Sequence, residues 1–434
     1  MFKQQDLMVR SLGGCRFPSP LCFAQPSEGK KSHFVSDSTR LRVNVEIGTK
    51  DCGPDEPSFE EAGPRERIYF DPSATTAAIV TCGGLSPGLN NVIRSVFYEL
   101  TVNYGVNKVL GIRNGYLGLN PAAGLPPIRL TEEYVQSIDI LGGTVLGTSR
   151  GGQKASVMAD FLAAEKIDIL FCVGGDGTQR GAHALHEEVL RRGLDIAVIG
   201  IPKTIDNDIA FVRQSFGYIT AMEKAAEVIR GAHVEARGAI RGVGLVKLMG
   251  RDAGFIAAGA AVVSQEVNFV LVPEIAFPLQ GQGGFLAALE QRMDKRGHAV
   301  VVVAEGAGQH LIESDNTRRD ASGNLLHEDV GLFLKTRISE HFAASGQPVS
   351  LKYIDPSYFI RSVCANVYDR ILCDQMGRHA VHAAMAGKTG MLIGFEHNQF
   401  INVPIPVVVA QKKQMDVTSD LWRAVLQVTR QPHW

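Results

Sequence analysis

From Thr76 onward, short apolar runs alternate with stretches in which apolar residues recur at helical spacing. A helical pattern with Gly193 as its stop follows the run that ends at Val173. Strands that alternate with helices of this length are typical of a parallel sheet covered by helices. The sequence therefore predicts a doubly wound α/β lobe with strands at 77–82, 108–112, 167–173 and 195–201.

The same alternation starts again after a helical stretch at 217–230, and this predicts a second lobe of the same kind. Its strands are predicted at 243–248, 268–272 and 299–304. A helical stretch at 365–385 and a hairpin around Asn398 then return the chain to the first lobe. The predicted division is an N-terminal arm at 1–74, a first lobe at 75–216 with 366–410, a second lobe at 217–365, and a C-terminal tail at 411–434.

The arm at 1–74 is polar and is interrupted by glycine and proline, with charge concentrated in 54–67. We predict an extended and partly mobile arm that packs against the body of the protein or against a second subunit. A poorly ordered tail and a regulatory segment both fit this composition.

The composition of the chain excludes several classes of partner. Its 434 residues contain 44 Lys and Arg against 45 Asp and Glu, without a basic stripe, which argues against binding to nucleic acid. No apolar run is long enough to span a bilayer, and no apolar signal-peptide core occurs in 1–31. The seven cysteines are scattered, without Cys-x-x-Cys spacing, which is typical of reduced thiols. We expect a cytoplasmic protein.

The first candidate site is the segment Gly-Gly-Asp-Gly-Thr at 174–178, which lies between a predicted strand and a predicted helix. Such a turn lets backbone N–H groups approach a phosphate closely at the start of a helix. Asp176 is its only charged residue, and an acid beside a phosphate indicates a bound Mg²⁺ that offsets both negative charges. A glycine motif this short is weak evidence when it stands alone.

Three further strands of the first lobe also end in turns rich in Gly, Thr, Asp or Arg. In a doubly wound sheet, ligands bind beyond the carboxyl ends of the strands. Several such turns at one edge are difficult to explain without a phosphorylated ligand. These turns are the glycine-rich turn at 83–90, the turn at 113–116 and the segment at 202–208, and a separate small-residue loop at 141–150 ends in the cation Arg150.

The strand ends of the second lobe have a different composition. Met249-Gly250-Arg251 and Pro273-Glu274 offer a cation and a carboxylate in place of another glycine-rich turn. A cation suits a phosphate and a carboxylate suits hydroxyl groups. This pairing predicts a sugar phosphate as the second ligand.

Taken in order, these segments resemble the phosphofructokinase family over about residues 75–400, in its ATP-using plant and trypanosomatid branch. The glycine turn at 174–178 alone would not separate this family from NAD kinases or diacylglycerol kinases. The segments Thr-Ile-Asp-Asn-Asp at 204–208 and Met-Gly-Arg at 249–251 make the likeness specific. The segments at 64–72 and 353–361 point to the branch.

The resemblance implies an Mg²⁺-dependent kinase that moves the γ-phosphoryl group of ATP to the 1-hydroxyl of fructose 6-phosphate. Asp206 matches the general base, Thr204 a hydrogen-bond donor to the transferring group, and Arg251 a cation beside it. Asp176 matches the Mg²⁺ ligand, with Asp208 supporting the water shell of the metal.

The resemblance also divides the remaining residues between the two substrates. It implies nucleotide contacts for Gly84, Arg150, Gly175, Asp176, Gly177, Thr178 and Lys203. It implies contacts with the sugar phosphate for Thr204, Asp206, Asp208, Met249, Gly250, Arg251, Glu274, Lys352, Tyr358 and Arg361. Within that set, Lys352 and Arg361 match cations that bind the 6-phosphate, and Tyr358 stands where many relatives have a histidine.

The phosphoryl donor depends on two positions. Relatives that use pyrophosphate carry Asp where this chain has Gly177, and a carboxylate there would repel the α-phosphate of ATP. Lys203 points the other way, because those relatives also carry a lysine there. The combination of Gly and Lys is that of the plant-like branch, so we favour ATP and keep pyrophosphate as the alternative.

Two further alternatives concern assembly and activity. The resemblance implies an allosteric homotetramer, but Gly242 stands where bacterial relatives have an arginine, with Arg241 one residue away. This puts a phosphate contact across subunits in doubt. A catalytically silent regulatory subunit would be expected to lose Asp176, Asp206 or Arg251, and all three are present.

Overall fold

The computed structural model describes residues 2–21, 33–45, 56–313, 318–319 and 326–434. Parts of the predicted arm, and residues 314–317 and 320–325 of the predicted second lobe, therefore lie outside the described residues. Within the described part of the chain, no helix is long and apolar enough to cross a membrane.

The first lobe is built on a nine-stranded mixed sheet. Its central strands are parallel and almost completely buried, which explains why they consist of unbroken apolar runs. In spatial order the strands are Arg40–Arg42, Ser58–Glu61, Gln399–Pro404, Met391–Glu396, Ala197–Pro202, Ile169–Gly174, Thr76–Thr81, Lys108–Ile112 and Ile128–Arg129.

Two pairs of helices pack on this sheet, each pair in direct contact. Leu89–Tyr98 packs against Val367–Met385, and Ala155–Ala164 packs against Asp176–Arg191. The hairpin that returns the chain to the first lobe turns at His397 and Asn398, both with positive φ, as a two-residue turn requires.

The second lobe is built on four parallel strands, in the order Phe269–Leu271, His298–Ala304, Gly242–Leu248 and Ser350–Ile354. Alternate residues of one strand enter two different cores: Val300 and Val302 face one, and Val301 and Val303 face the other. Helices cover both faces, which makes this lobe doubly wound as predicted. The helices are Tyr218–Gly238, Phe255–Ser264, Phe285–Arg296, Val330–Ala344 and Asp420–Thr429.

Both ends of the chain are built into these lobes where the structure describes them. Strands Arg40–Arg42 and Ser58–Glu61 extend the first sheet at one edge. At the other end of the chain, Trp422 and Val425 of the last helix lie in a core of the second lobe. The arm and the tail thus contribute packed elements in addition to the two lobes.

Strand Ser58–Glu61 is held to the sheet by a buried carboxylate. Glu60 Oε1 accepts hydrogen bonds from Arg65 Nη2 and Asn402 Nδ2, both at 2.9 Å, and its Oε2 lies 3.0 Å from Lys388 Nζ. Both Glu60 and Arg65 are buried. The network therefore joins the N-terminal region to the hairpin strand Gln399–Pro404.

The substitution Glu60→Ala should lower the free energy of unfolding by about 3 kcal/mol, because it leaves Arg65 buried without this carboxylate. Denaturant unfolding measures the change. As the matched control, Glu61→Ala removes a half-buried acid of the same strand that has no ion pair with the described residues, and should cost less than about 1 kcal/mol. Equal losses in the two variants would contradict the assignment.

Candidate active site

A cleft of about 790 Å³ lies where the strand ends of the two lobes meet. Most of the residues predicted for the site line it, and the exceptions are Gly250, Glu274 and Lys352. The predicted residues that line the cleft are Gly84, Arg150, Gly175, Asp176, Gly177, Thr178, Lys203, Thr204, Asp206, Asp208, Met249, Arg251, Tyr358 and Arg361.

The glycine turn differs from its predicted form. The sequence predicts a helix that begins after Thr178, but the helix begins at Asp176, with Gly175 as an extended N-cap. Two glycines beside an aspartate resemble a free turn in sequence, although here Gly175 is extended and Gly177 already belongs to the helix. Asp176, Gly177 and Thr178 therefore form a first helical turn, whose N–H groups have no partner within the helix and suit an anion.

Gly174 is required by close packing behind that turn. A Cβ at this position would lie 2.1 Å from Thr178 Oγ1. The absence of a side chain lets strand Ile169–Gly174 pass directly into the helix.

The second glycine turn is held by a buried lysine. Lys203 Nζ donates a hydrogen bond of 2.6 Å to the carbonyl oxygen of Gly84. Burial lowers the pKa of Lys203 to about 8. The side chain of Lys203 thereby links the end of strand Ala197–Pro202 to the turn after Thr76–Thr81.

Two arginines lie close together above the same turn. A Cβ on Gly84 would lie 3.3 Å from Arg361 Nη1, so a glycine here leaves room for the guanidinium group. The pKa of Arg361 is lowered by burial and then by the neighbouring charge of Arg150. Paired cations in a cleft indicate a site for a multiply charged anion.

Residues 204–213, which we call the Asp206 loop, follow strand Ala197–Pro202. Thr204 Oγ1 accepts a 3.0 Å hydrogen bond from the backbone N–H of Asp206 and donates a 2.8 Å hydrogen bond to Asp208 Oδ1. Ser215 Oγ donates to the carbonyl oxygen of Thr204 at 2.6 Å. These bonds hold the backbone around Asp206.

Asp206 is the most strongly perturbed carboxylate in the cleft. It is 8% exposed, and its Oδ1 has no hydrogen-bond partner among the described residues. Burial raises its pKa, the nearby charges of Asp208 and Glu305 raise it further, and Arg251 and Lys203 oppose the change. A buried acid with a free oxygen that faces a cleft is suited to exchange a proton with a ligand.

Asp176 and Asp208 form a pair of acids that a divalent cation would fit. The pKa of Asp176 is raised by burial and then by the charge of Asp208, and Arg180 Nη1 lies 3.8 Å from its Oδ2. The described residues contain no cluster of three or more His, Cys, Asp or Glu side chains placed to hold a metal. A hard cation bound here would therefore complete its shell from phosphate oxygens and water, as Mg²⁺ commonly does.

The second lobe brings Arg251 to the cleft from a sharply bent turn at 249–254, which we call the Arg251 turn. Gly250 and Arg251 have φ of 148° and 48°. The backbone N–H of Arg251 donates to Glu305 Oε1 at 3.0 Å, and a Cβ on Gly306 would meet the Arg251 carbonyl oxygen at 1.9 Å. Gly250 thus shapes the turn without lining the cleft.

Besides Gly250, two of the predicted contacts with the sugar phosphate lie outside the cleft. Glu274 Oε1 accepts hydrogen bonds from the backbone N–H groups of Gly254 and Met415, both at 2.9 Å, so this oxygen is engaged by backbone groups behind the Arg251 turn. Lys352 lies in the middle of strand Ser350–Ile354 with an exposed side chain, away from the carboxyl end that borders the cleft. Neither residue lines the cleft.

The cleft also contains charged residues that sequence reasoning missed. Lys247 Nζ lies 3.0 Å from Asp329 Oδ2 and 2.9 Å from Asp355 Oδ2, and all three residues line the cleft. Lys247 could have been identified from the sequence, because it is a single charged residue near the end of the apolar strand Gly242–Leu248. The acids, and Lys412 from the tail, had no such signal because their position depends on the packing of distant segments.

Comparison with known proteins gives concordant results. The family model described as phosphofructokinase matches residues 76–384. An ATP-dependent 6-phosphofructokinase of Borreliella burgdorferi is 46% identical to this chain over 98% of the chain and 97% of that protein. The protein of the same name from Trypanosoma brucei brucei is 43% identical, over 98% of this chain and 88% of that protein.

Solved structures share the fold at lower sequence identity. The pyrophosphate-dependent phosphofructokinase of Marinobacter aquaeolei has a TM-score of 0.67 and 22% identity, over 81% of this chain and 91% of that chain. The phosphofructokinase of Saccharomyces cerevisiae has a TM-score of 0.62 and 24% identity, over 82% of this chain and 47% of that chain.

The substitution Asp206→Asn should stabilise the ligand-free protein. Because the pKa of Asp206 is raised in the folded state, wild type loses stability as the pH rises from about 4 through that raised value, and the neutral amide avoids the loss. We expect a gain of at least about 1 kcal/mol at pH 8, with a smaller gain at pH 5. Urea unfolding at both pH values measures it.

The control for this measurement is Asp160→Asn, which removes a carboxylate with 68% side-chain exposure outside the cleft. It should change stability little at either pH. A loss of stability at pH 8 in Asp206→Asn would show that the carboxylate is favourable in the fold.

Proposed function

The chain belongs to the phosphofructokinase family, and we propose that it is an ATP-dependent 6-phosphofructokinase. It transfers the γ-phosphoryl group of ATP to the 1-hydroxyl of fructose 6-phosphate and forms fructose 1,6-bisphosphate and ADP. The single observation that carries this proposal for the site is Asp206, a buried carboxylate of raised pKa with one unpartnered oxygen, placed between the strand ends of both lobes.

In the proposed reaction, Asp206 orients the 1-hydroxyl and accepts its proton as the new O–P bond forms. Phosphoryl transfer has a loose transition state, so the base needs mainly to position the alcohol and take the proton late. Thr204 turns its hydroxyl hydrogen from Asp208 to the transferring group, and Arg251 offsets the charge that develops there. The raised pKa of Asp206 suits this role, because a general base works best near the operating pH.

The triphosphate of ATP is proposed to lie across the two glycine turns. Backbone N–H groups or open space are available there at Gly84, Gly175, Gly177 and Thr178. The first helical turn at Asp176 favours the negative charge of the phosphates. Arg150 supplies a side-chain charge at this end of the cleft, and Lys203 acts from beneath through its contact with Gly84.

Asp176 is the proposed Mg²⁺ ligand, with Asp208 placed to accept hydrogen bonds from metal-bound water. When bound, Mg²⁺ neutralises the phosphate oxygens and reduces the repulsion that raises the pKa of Asp176. Because the described residues hold no cluster of three or more His, Cys, Asp or Glu side chains, this arrangement suits a metal that takes its other ligands from the substrate and from water.

Fructose 6-phosphate is proposed to bind at the second-lobe side, with Arg361 as the cation for its 6-phosphate. Tyr358 and Met249 line the adjacent wall of the cleft. Lys247 is held by two acids, so it orders that wall and adds little net charge.

The protein is further proposed to be a cytoplasmic, allosteric homotetramer. The described cysteines are all free thiols, which suits a reducing compartment. Helix Val367–Met385 leaves Val367, Tyr368 and Ile371 more than half exposed, and such an apolar patch suits contact with a second copy of the chain.

The substitution Asp206→Ser should lower kcat by about a thousandfold or more, because it removes the proton acceptor. The KM values for ATP and fructose 6-phosphate should stay within about threefold of wild type. An assay that follows ADP formation measures both.

The control for this assay is Asp160→Ser, an exposed acid outside the cleft, which should keep wild-type kcat. Near-normal kcat in Asp206→Ser would remove Asp206 from the reaction. A wild-type chain without turnover would favour the silent regulatory subunit instead.

The substitution Gly177→Asp should lower kcat/KM for ATP by at least about a hundredfold, because its carboxylate would repel the nucleotide phosphates in the cleft wall. The decrease in kcat/KM should be much smaller for pyrophosphate, which is the second candidate donor because of Lys203. Gly177→Ala is the matched control, since it adds a methyl group without charge and should retain most ATP use. Equal losses for both donors in Gly177→Asp would contradict this explanation of donor choice.

A further inference from the structure

Residues 411–415, which we call the strap, cross from the first lobe to the second beside the cleft. Helix Ile405–Val409, just before the strap, packs in the first-lobe core. Met415, at its end, is buried in the second-lobe core together with Trp422 of the last helix. Both ends of this short segment are therefore fixed, each in a different lobe.

Lys413 binds the Asp206 loop at two places. Its backbone N–H donates to the carbonyl oxygen of Asp208 at 3.2 Å. Its Nζ donates to the carbonyl oxygens of Val212 and Arg213 at 2.6 and 2.9 Å. This single residue thus holds the stretch of loop that directly follows the proposed base.

The hydrogen bonds of Lys413 continue to the neighbour of Asp206. The Arg213 carbonyl oxygen that Lys413 contacts also accepts a 3.1 Å hydrogen bond from Asn207 Nδ2. Asn207 and Phe211 have φ of 56° and 58°, an unfavourable conformation for residues other than glycine. Such backbone persists where surrounding contacts hold it, and Lys413 provides several of those contacts.

The other residues of the strap bind the Arg251 turn. Lys412 Nζ lies 2.6 Å from Asp252 Oδ2, and Gln414 Nε2 donates to the Asp252 carbonyl oxygen at 3.2 Å. The backbone N–H of Met415 donates to Glu274 Oε1, which also accepts from Gly254 in that turn. One continuous segment therefore contacts the loop of Asp206 and the turn of Arg251.

The ammonium group of Lys413 loses part of its hydration by water at this position, and this loss is unfavourable for the charged form. Burial lowers its pKa to about 8, although the charges of Glu396 and Asp208 act in the opposite direction. Its Nζ also lies 5.0 Å from the centre of the Phe255 ring. A half-buried ammonium group that donates to two backbone carbonyl oxygens is suited to holding the loop in place.

We propose that the strap aligns the two halves of the active site, and that Lys413 is a positioning residue that holds the Asp206 loop for phosphoryl transfer. Lys413 acts through Asp206 and touches neither substrate. This inference rests on the proposed function, because it takes Asp206 as the base.

The substitution Lys413→Met should lower kcat by about 10- to 100-fold, because a small displacement of the base has this effect on transfer. The KM values for ATP and fructose 6-phosphate should stay within about threefold, since the binding residues remain in place. Lys335→Met removes an exposed lysine from helix Val330–Ala344 and should leave kcat unchanged.

A double-mutant cycle separates positioning from a general loss of structure. If Lys413 acts only through Asp206, Lys413→Met in an Asp206→Ser background should lower the remaining turnover by less than about twofold. A full additional loss of 10- to 100-fold would overturn the proposal, and so would wild-type kcat in the single variant. If Lys413→Met does not fold, the same cycle with Lys413→Gln, which keeps one shorter amide donor, gives the answer.

The cycle also distinguishes this inference from the proposed function. Wild-type kcat in Asp206→Ser alone would overturn the role of the base and the positioning role with it. A large loss in Asp206→Ser together with additive losses for Lys413 would overturn the strap proposal alone.

Discussion

The proposed active site depends on keeping the carboxylate of Asp206 out of water and close to a second carboxylate, that of Asp208. Both conditions raise the free energy of its ionised form. Lys203 and Arg251 oppose this effect, and they come from different lobes of the protein. The electrostatic balance at Asp206 therefore depends on how the two sheets are arranged. Without the second lobe, Asp206 would lose Arg251, one of its two compensating cations.

Much of this site could be predicted from sequence because its parts are local. A buried parallel strand is an apolar run, and its carboxyl end carries the turn that borders the ligand. The segments 83–90, 174–178 and 204–208 each join a strand to its functional turn within a few residues, and the structure brings all three to one cleft. The start of the helix at Asp176 was predicted less well, because glycine suits both a free turn and an N-terminal helical turn.

Other features depend on contacts between residues that are far apart in the chain. Glu274 accepts a hydrogen bond from the backbone of Met415, 141 residues later, with one oxygen of the carboxylate that was predicted to bind sugar hydroxyls. Lys247 likewise binds a distant residue, because its side chain donates to Asp329, which lies 82 residues later in the chain. No local pattern contains such pairs, so sequence reasoning predicted the residue types at the strand ends better than their partners.

The same distinction explains why the strap matters to the site. Outside the Asp206 loop, the lobes are also joined where the fully buried Asp369 accepts hydrogen bonds of 2.8 and 2.6 Å from the backbone and side chain of Thr220. That joint connects the starts of two helices and contains none of the residues proposed to react. The strap connects the loop of the base directly to the turn of the opposing cation. A displacement at the contact between Asp369 and Thr220 would reach the site through two long helices. A displacement of the strap would instead move Asp206 and Arg251 relative to each other.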